Sequence, residues 1–203
     1  MNNAGEYKDV MVDIETWGSE MGSALMSIGA CAFAPGKPIG ETFHAIVSLE
    51  SCLRYDMTIS PKTMAWWLSQ SEEARATMEL SAQGRPAPGQ DWRIHINDVL
   101  CAFDEFLERF GTPNVWGNGA DFDNAMLINA AHRTGYRYHS WTFRNNRCYR
   151  TLKSLVPGVV VPQVGTPHNA LDDAVFQAKA ATLMLERLGY WQANSNQMED
   201  LLT

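Results

Sequence analysis

The sequence predicts an α/β fold in which helices flank a mixed central sheet. Three observations carry that expectation. The first fifty residues contain three extended stretches separated by short turns. Two long segments, 94–110 and 170–188, repeat apolar residues at spacings of three and four. Between them the short apolar stretch Asn114-Val115-Trp116 runs straight into Gly117-Asn118-Gly119.

In chain order, residues 1–7 read as a loose lead-in and residues 8–15 as a buried first strand, rich in Val10, Met11, Val12 and Ile14. A Gly-rich loop, 16–23, follows. Residues 24–34 form a second strand, closed by the turn Pro35-Gly36-Lys37-Pro38, and residues 41–49 a third. Short turns make these three an antiparallel meander. Ser60-Pro61 starts a helix that carries Met64, Trp66, Trp67 and Leu68, with Ser as cap and Pro in the first turn. A second helix is expected over 72–80. The Pro- and Gly-rich stretch 84–90 reads as the most flexible loop.

Residues 94–110 form an amphipathic helix through Ile96, Leu100, Phe103, Leu107 and Phe110. After the strand at 114–116, a helix is expected over 120–134 and closes at Gly135. Residues 138–143 read as extended and 150–156 as a short helix. Val159-Val160-Val161 reads as a strand or a buried turn. The last helix, 170–188, ends at Gly189. The polar, acidic tail 191–203 is expected to fray.

A chain of 203 residues is sized for one domain with a substantial core, here about 8–190. No apolar run is long enough to span a membrane, and the N-terminus lacks the basic and apolar regions of a secretory signal. The cysteines Cys31, Cys52, Cys101 and Cys148 form no CxxC pair, which speaks against a zinc cluster or a disulfide scaffold and for a cytoplasmic setting. The net charge of −7 argues against a protein that coats duplex nucleic acid. Yet the charge is uneven. Arg133, Arg137, Arg144, Arg147, Arg150 and Lys153 fall in a stretch without a single acid, a basic stripe able to steer a polyanion.

Three clusters carry candidate chemistry. At the end of the first strand, Asp13 and Glu15 point the same way because a strand alternates its faces. Paired carboxylates on a core strand repel one another and are costly to desolvate, and a hard divalent cation such as Mg²⁺ or Mn²⁺ removes both costs. In the second cluster Asp121 and Asp123 sit about 200° apart on a helix, so only one can face such a site. In the third, Asn169 caps a helix with Asp172 three residues on, leaving His168 before the cap and Asp173 in the second turn. Helix capping alone would account for the acids of the second and third clusters.

Taken together, the clusters resemble the DEDDh 3′–5′ exonucleases of the ribonuclease H-like superfamily. That family's Asp-x-Glu motif is matched by Asp13 and Glu15, its Asn-x-x-x-Phe/Tyr-Asp by Asn118, Phe122 and Asp123, and its His-x-x-x-x-Asp by His168 and Asp173. The resemblance spans about 8–188. It passes over Asp121 and Asp172. The regions 57–67, Trp116-Gly117-Asn118-Gly119 and Arg150-Thr151-Leu152 are most similar to the phage and bacterial exodeoxyribonuclease VIII-type members and related small exoribonucleases. Those often carry Arg-Asp before the Arg-Thr-Leu element, whereas Arg147-Cys148-Tyr149 precedes it here.

The resemblance implies a ribonuclease H-like fold and a 3′–5′ exonuclease acting on single-stranded DNA or 3′ overhangs, with RNA as the alternative and a non-catalytic nucleic-acid-binding module as the reading of another class. It also implies that Asp13, Glu15, Asp123 and Asp173 hold two Mg²⁺ or Mn²⁺ ions about 4 Å apart. His168 is the implied general base and a 5′ mononucleotide the product. Thr16, Trp17, Asn118 and Phe122 are expected around the terminal nucleotide, and Arg144, Arg147, Arg150 and Lys153 along the upstream backbone. Trp66 and Trp67 divide between core and surface. The small size and the Trp-bearing helices point to a homodimer, as in related small exonucleases.

Overall fold

The computed structural model describes residues 7–190 apart from Val164, so residues 1–6 of the expected lead-in and the expected tail lie outside the described residues. The centre is a five-stranded sheet in the order β3-β2-β1-β4-β5. Its strands are β1 (Asp9–Thr16), β2 (Leu25–Phe33), β3 (Thr42–Ile46), β4 (Asn114–Gly117) and β5 (Asn146–Cys148). The first three pair antiparallel, and β4 and β5 join parallel to β1 and to each other. This is the mixed sheet that the meander and the later βα units imply.

Every residue of β1 is buried, as its apolar composition requires. Its two faces meet different layers. Val10, Val12 and Ile14 pack into the larger core, with α1 (Leu49–Leu53), α2 (Pro61–Leu68), α3 (Glu72–Gln83), α4 (Ile96–Glu108) and α5 (Ala125–Thr134). Met11 faces the smaller core, beneath α6 (Tyr149–Leu155) and α7 (Ala170–Arg187). Asp13 and Glu15 continue the Met11 face, so they emerge under α7. That helix lies unusually close to the sheet. Gly29 on β2, the register partner of Asp13, has no side chain, and a Cβ there would collide with the backbone at Ala170 and Leu171. The glycine lets the start of α7 settle against the carboxylate end of β1.

Local chemistry explains the boundaries. Ser48, Ser60, Ser71 and Asn169 accept hydrogen bonds from the first turns of α1, α2, α3 and α7. Ser48 also explains why the third strand stops at Ile46 and gives way to α1, a helix the sequence reading did not include. Other expectations need correction. The helix expected over 120–134 begins as a wide π-type turn, Ala120–Asn124, and becomes α-helical only at Ala125. The stretch 138–143 is irregular instead of extended, held by Asp104 of α4, which accepts from Tyr136 Oη (3.0 Å) and from the backbone N–H groups of His139 (2.8 Å) and Ser140 (3.0 Å). The fifth strand comes just after it. Residues 159–161 are neither strand nor buried turn, and Val160 is exposed. The loop 84–90 is tied to the sheet edge by Gln90, which accepts from Ile46 N–H and donates to Ile46 C=O. Among the described residues no helix is long and apolar enough to cross a membrane.

Candidate active site

Three elements bring the carboxylates together. β1 delivers Asp13 and Glu15. The turn Ala120–Asn124, at the end of β4, delivers Asp123. Gly117 makes that possible, since a Cβ at this position would strike the side chains of Asn124 and Asp123. Asn124 then locks the turn by donating to Val115 C=O (2.9 Å) and Asn146 Oδ1 (3.3 Å). In a regular helix successive residues point about 100° apart. The wide turn instead buries Asp123 and Asn124 together and leaves Asp121 exposed. Asp173 arrives from the first turns of α7.

All four acids line one cleft of about 380 Å³, with His168, Asn118, Phe122, Arg150 and Lys153 around them. Gln177, one turn beyond Asp173, donates to Asp13 Oδ1 at 2.7 Å, and Ile14 N–H donates to Asp123 Oδ1 at 3.3 Å. Gln177 is absent from the sequence reading. A buried Gln four residues after Asp173, on a face otherwise made by Ala174, Ala178 and Ala181, was the available signal.

Electrostatics mark the cluster as incomplete without a counter-charge. Burial, then the charges of Asp123 and Glu15, raise Asp13 well above the ordinary carboxylate range, against the bond from Gln177. Burial, Asp173 and Asp123 push Glu15 to about 8. Burial lifts Asp123 to about 7, although the backbone N–H groups of Ile14 and Asn118 and the charge of Arg150 oppose it. Asp173 is raised by burial and held back by the N–H of His168. Asp123 Oδ2 is buried with no hydrogen-bond partner among the described residues. Oxygen donors crowded in this way, one of them orphaned, fit a hard divalent cation. Glu15, His168 and Asp173 offer atoms within 4.8 Å of one another.

His168 is placed by a built turn. Asn169 N–H donates to Thr166 C=O (3.1 Å), with Pro167 and His168 at the centre and His168 at φ 65°. Proline followed by a residue of positive φ is the pattern of a type II turn, where Gly or Asn is the usual choice. The conformation is held by His168 N–H on Asp173 Oδ2 (2.9 Å) and Thr166 N–H on Asp172 Oδ2 (2.8 Å). Asp172, which the motif passes over, therefore braces the turn that carries His168. The imidazole lies edge-on to Trp66, at 4.9 Å between centroids, and to Trp67, at 6.2 Å. Trp67 is in the core and donates to Thr16 C=O at 3.1 Å, while Trp66 is part-exposed.

Other expected substrate residues are distributed differently. Arg150 and Lys153 line the cleft, and Arg150 Nη2 donates to Asn118 C=O at 2.7 Å. Arg147 turns back onto the carbonyls of Arg144 and Asn146, and Arg144 lines a separate groove. The side chains of Thr16 and Trp17 are buried behind the cleft. Thr16 Oγ1 donates to Gly18 C=O, and the Trp17 indole sits in the larger core and donates to Ser81 Oγ. Strand alternation puts Thr16 on the Ile14 face, and the β1–β2 register shift after Glu15 brings Trp17 to the larger core as well.

A family model described as the 3′–5′ exoribonuclease Rv2179c-like domain matches residues 8–185. The chain belongs to that family. It is also 26% identical over 131 residues to an exodeoxyribonuclease of Enterobacteria phage T4, an alignment covering 59% of this chain and 54% of the relative, so the chain spans about half of that protein's length. The nuclease domain of 3′hExo, a DEDDh family member solved bound to rAMP, shares the fold with a TM-score of 0.59 at 16% identity, covering 90% of this chain and 94% of that one. The chain is thus a member of an exonuclease family, and the oxygen donors of its cleft fit divalent metal ions.

Proposed function

We propose that the protein removes nucleotides one at a time from the 3′ end of single-stranded nucleic acid and releases 5′ mononucleotides. The observation that carries this reading is the convergence of Asp13, Glu15, Asp123, Asp173 and His168 in one cleft. When bound, two Mg²⁺ or Mn²⁺ ions held by the four carboxylates would activate water and neutralise charge at the scissile phosphate. An imidazole nitrogen of His168 lies within 4.8 Å of carboxylate oxygens of Glu15 and Asp173, and the ring is held at the cleft by its turn and by Trp66. Its imidazole accepts the proton of the attacking water. Arg150 and Lys153 draw the phosphates to the cleft mouth, and Phe122 gives the terminal nucleoside an apolar wall. Thr16 and Trp17 contribute by fixing the backbone beside Glu15 instead of by side-chain contact.

RNA is the substrate that the family description favours, since its model matches most of the chain. DNA is the second reading, supported by the phage relative. Parallel digestion of matched RNA and DNA oligonucleotides separates them. A rate on RNA at least tenfold above that on DNA is the expected result, and the reverse ratio favours the second reading. The exposed apolar side chains Met64, Trp66 and Leu68 on α2 support a homodimer. A mass by light scattering near the 22.7 kDa chain opposes it.

A further inference from the structure

A second groove, of about 440 Å³, lies apart from the catalytic cleft between the end of α5 and the irregular stretch before β5. Its size is in the usual range of ligand sites, about 300–1,000 Å³. Arg137, Arg144 and His132 line it together with Tyr136, Trp141 and Phe143. Phe143 is 69% exposed, so its ring presents an open aromatic face at the groove. The Arg144 guanidinium stacks over that ring, 5.1 Å from its centroid. Trp141 is buried beneath and fixed by its indole N–H on Asn146 Oδ1 at 2.9 Å. The wall is held rigid from below, because Asp104 binds Tyr136 Oη and two backbone N–H groups of the same stretch. That acid is buried, and residues 133–153 contain no other, so the groove presents positive charge on a chain of net charge −7.

We propose that this groove binds an unpaired stretch of the substrate strand upstream of the scissile bond. A base would stack on Phe143 and a flanking phosphate would meet Arg137 or Arg144. The combination of exposed aromatic ring and basic side chains matches sequence-independent single-strand binding. Two elements set its distance from the cleft. The helical stretch from Asp123 into α5 puts His132 about 13 Å from that acid. The chain from Arg144 through β5 reaches Cys148, level with Gly117 and Val12, so Arg144 lies roughly 20 Å from Asp13, two strands across. At a stacked spacing of about 3.4 Å per nucleotide, that is roughly four to six nucleotides upstream. The inference rests on the exonuclease reading of the cleft, since it assigns the groove to the same strand.

The test measures binding by fluorescence anisotropy in chelator, where hydrolysis stops, using single-stranded RNA and DNA of two, four, six and eight nucleotides. Wild type is compared with Phe143→Ala and Arg137→Ala, both surface changes that leave the cleft untouched. Affinity is expected to rise steeply between four and eight nucleotides in wild type. Each variant should lose about tenfold on the octamer, the usual scale for one stacked base or one phosphate contact. Arg137→Ala should also flatten the dependence on salt, and Phe143→Ala should not. In Mg²⁺, cleavage of a dinucleotide should stay within twofold of wild type for both. Abasic sites at the fifth and sixth nucleotides from the 3′ end should weaken wild type and leave Phe143→Ala unaffected. Equal octamer affinity for wild type and both variants overturns the proposal, as does an equal loss on dinucleotide and octamer. Absence of any cleavage by wild type would instead refute the reading of the cleft.

Discussion

Replacing Glu15 by Gln should make the metal-free protein more stable above neutral pH. Glu15 is buried beside Asp173 and Asp123, and its carboxyl titrates at about 8 instead of 4.5. The folded state therefore holds a proton that the unfolded chain releases from about pH 4.5. A carboxyl raised in the folded state contributes stability that is fully present below the unfolded value and is lost as pH climbs to about 8. Between those limits the cost of keeping Glu15 ionised grows to roughly 5 kcal/mol. The buried Gln amide in its place costs about 1–3 kcal/mol if it finds no partner, so the net gain is on the order of 3 kcal/mol. For a domain of this size that corresponds to a rise in Tm of roughly 10 °C. The assay is thermal unfolding by circular dichroism in chelator, at pH 5 and pH 8.5. Wild type should lose stability between the two, Glu15→Gln should lose less, since only Asp13, Asp123 and Asp173 still ionise in it, and at pH 5 the variant should be the less stable by about 1–3 kcal/mol. Saturating Mg²⁺ should restore wild type at pH 8.5. A wild-type Tm unchanged from pH 5 to 8.5, or a Gln variant less stable than wild type at pH 8.5, would refute the repulsion argument.

Other outcomes follow from the same geometry. Asp123→Asn should abolish most activity, while Asp121→Asn should stay within about tenfold, because only the first side chain enters the cleft; initial rates on one oligonucleotide decide this, and equal losses would contradict the assignment. Asp172→Ala should cut the rate by about tenfold through the loss of one bracing hydrogen bond, and Asp172→Asn, which keeps an acceptor for Thr166 N–H, should recover most of it. His168→Ala should lower the rate about 10²- to 10⁴-fold. Titrating Mn²⁺ into that variant tests the role: a base leaves the metal requirement nearly unchanged, whereas recovery in excess metal would make His168 a ligand.

Much of this architecture was legible in the sequence because its signals are local. The apolar run of β1, the alternation that pairs Asp13 with Glu15, and the Ser60 cap each act within a few residues. The choice of Asp123 over Asp121 and of Asp173 over Asp172 came from motif spacing, and both selected acids line the cleft. What escaped depends on distant partners. The strand β5 is three residues long and is defined by pairing with β4, not by its own composition. The wide turn at Ala120–Asn124 depends on Asn124 reaching Val115 and Asn146. Gly29 reads as an ordinary strand glycine until α7 is laid across it. Asp172 looks like a helix cap, yet it holds the turn of His168. Thr16 and Trp17 follow Glu15 directly, so proximity in sequence suggested substrate contact, but strand alternation turns Thr16, and the register shift after Glu15 turns Trp17, into the protein.

The central claim is that the carboxylate cleft hydrolyses strands from their 3′ ends. Its most direct test follows a 5′-labelled single-stranded oligonucleotide through a time course in Mn²⁺, beside the same strand blocked by a 3′ phosphate, for wild type and Asp123→Asn. The account expects a ladder that shortens by single nucleotides from the 3′ end and an unlabelled 5′ mononucleotide product. It also expects marked slowing on the blocked strand and no ladder with Asp123→Asn. Internal cuts, immediate release of the 5′ label, or an undiminished ladder from Asp123→Asn would contradict it.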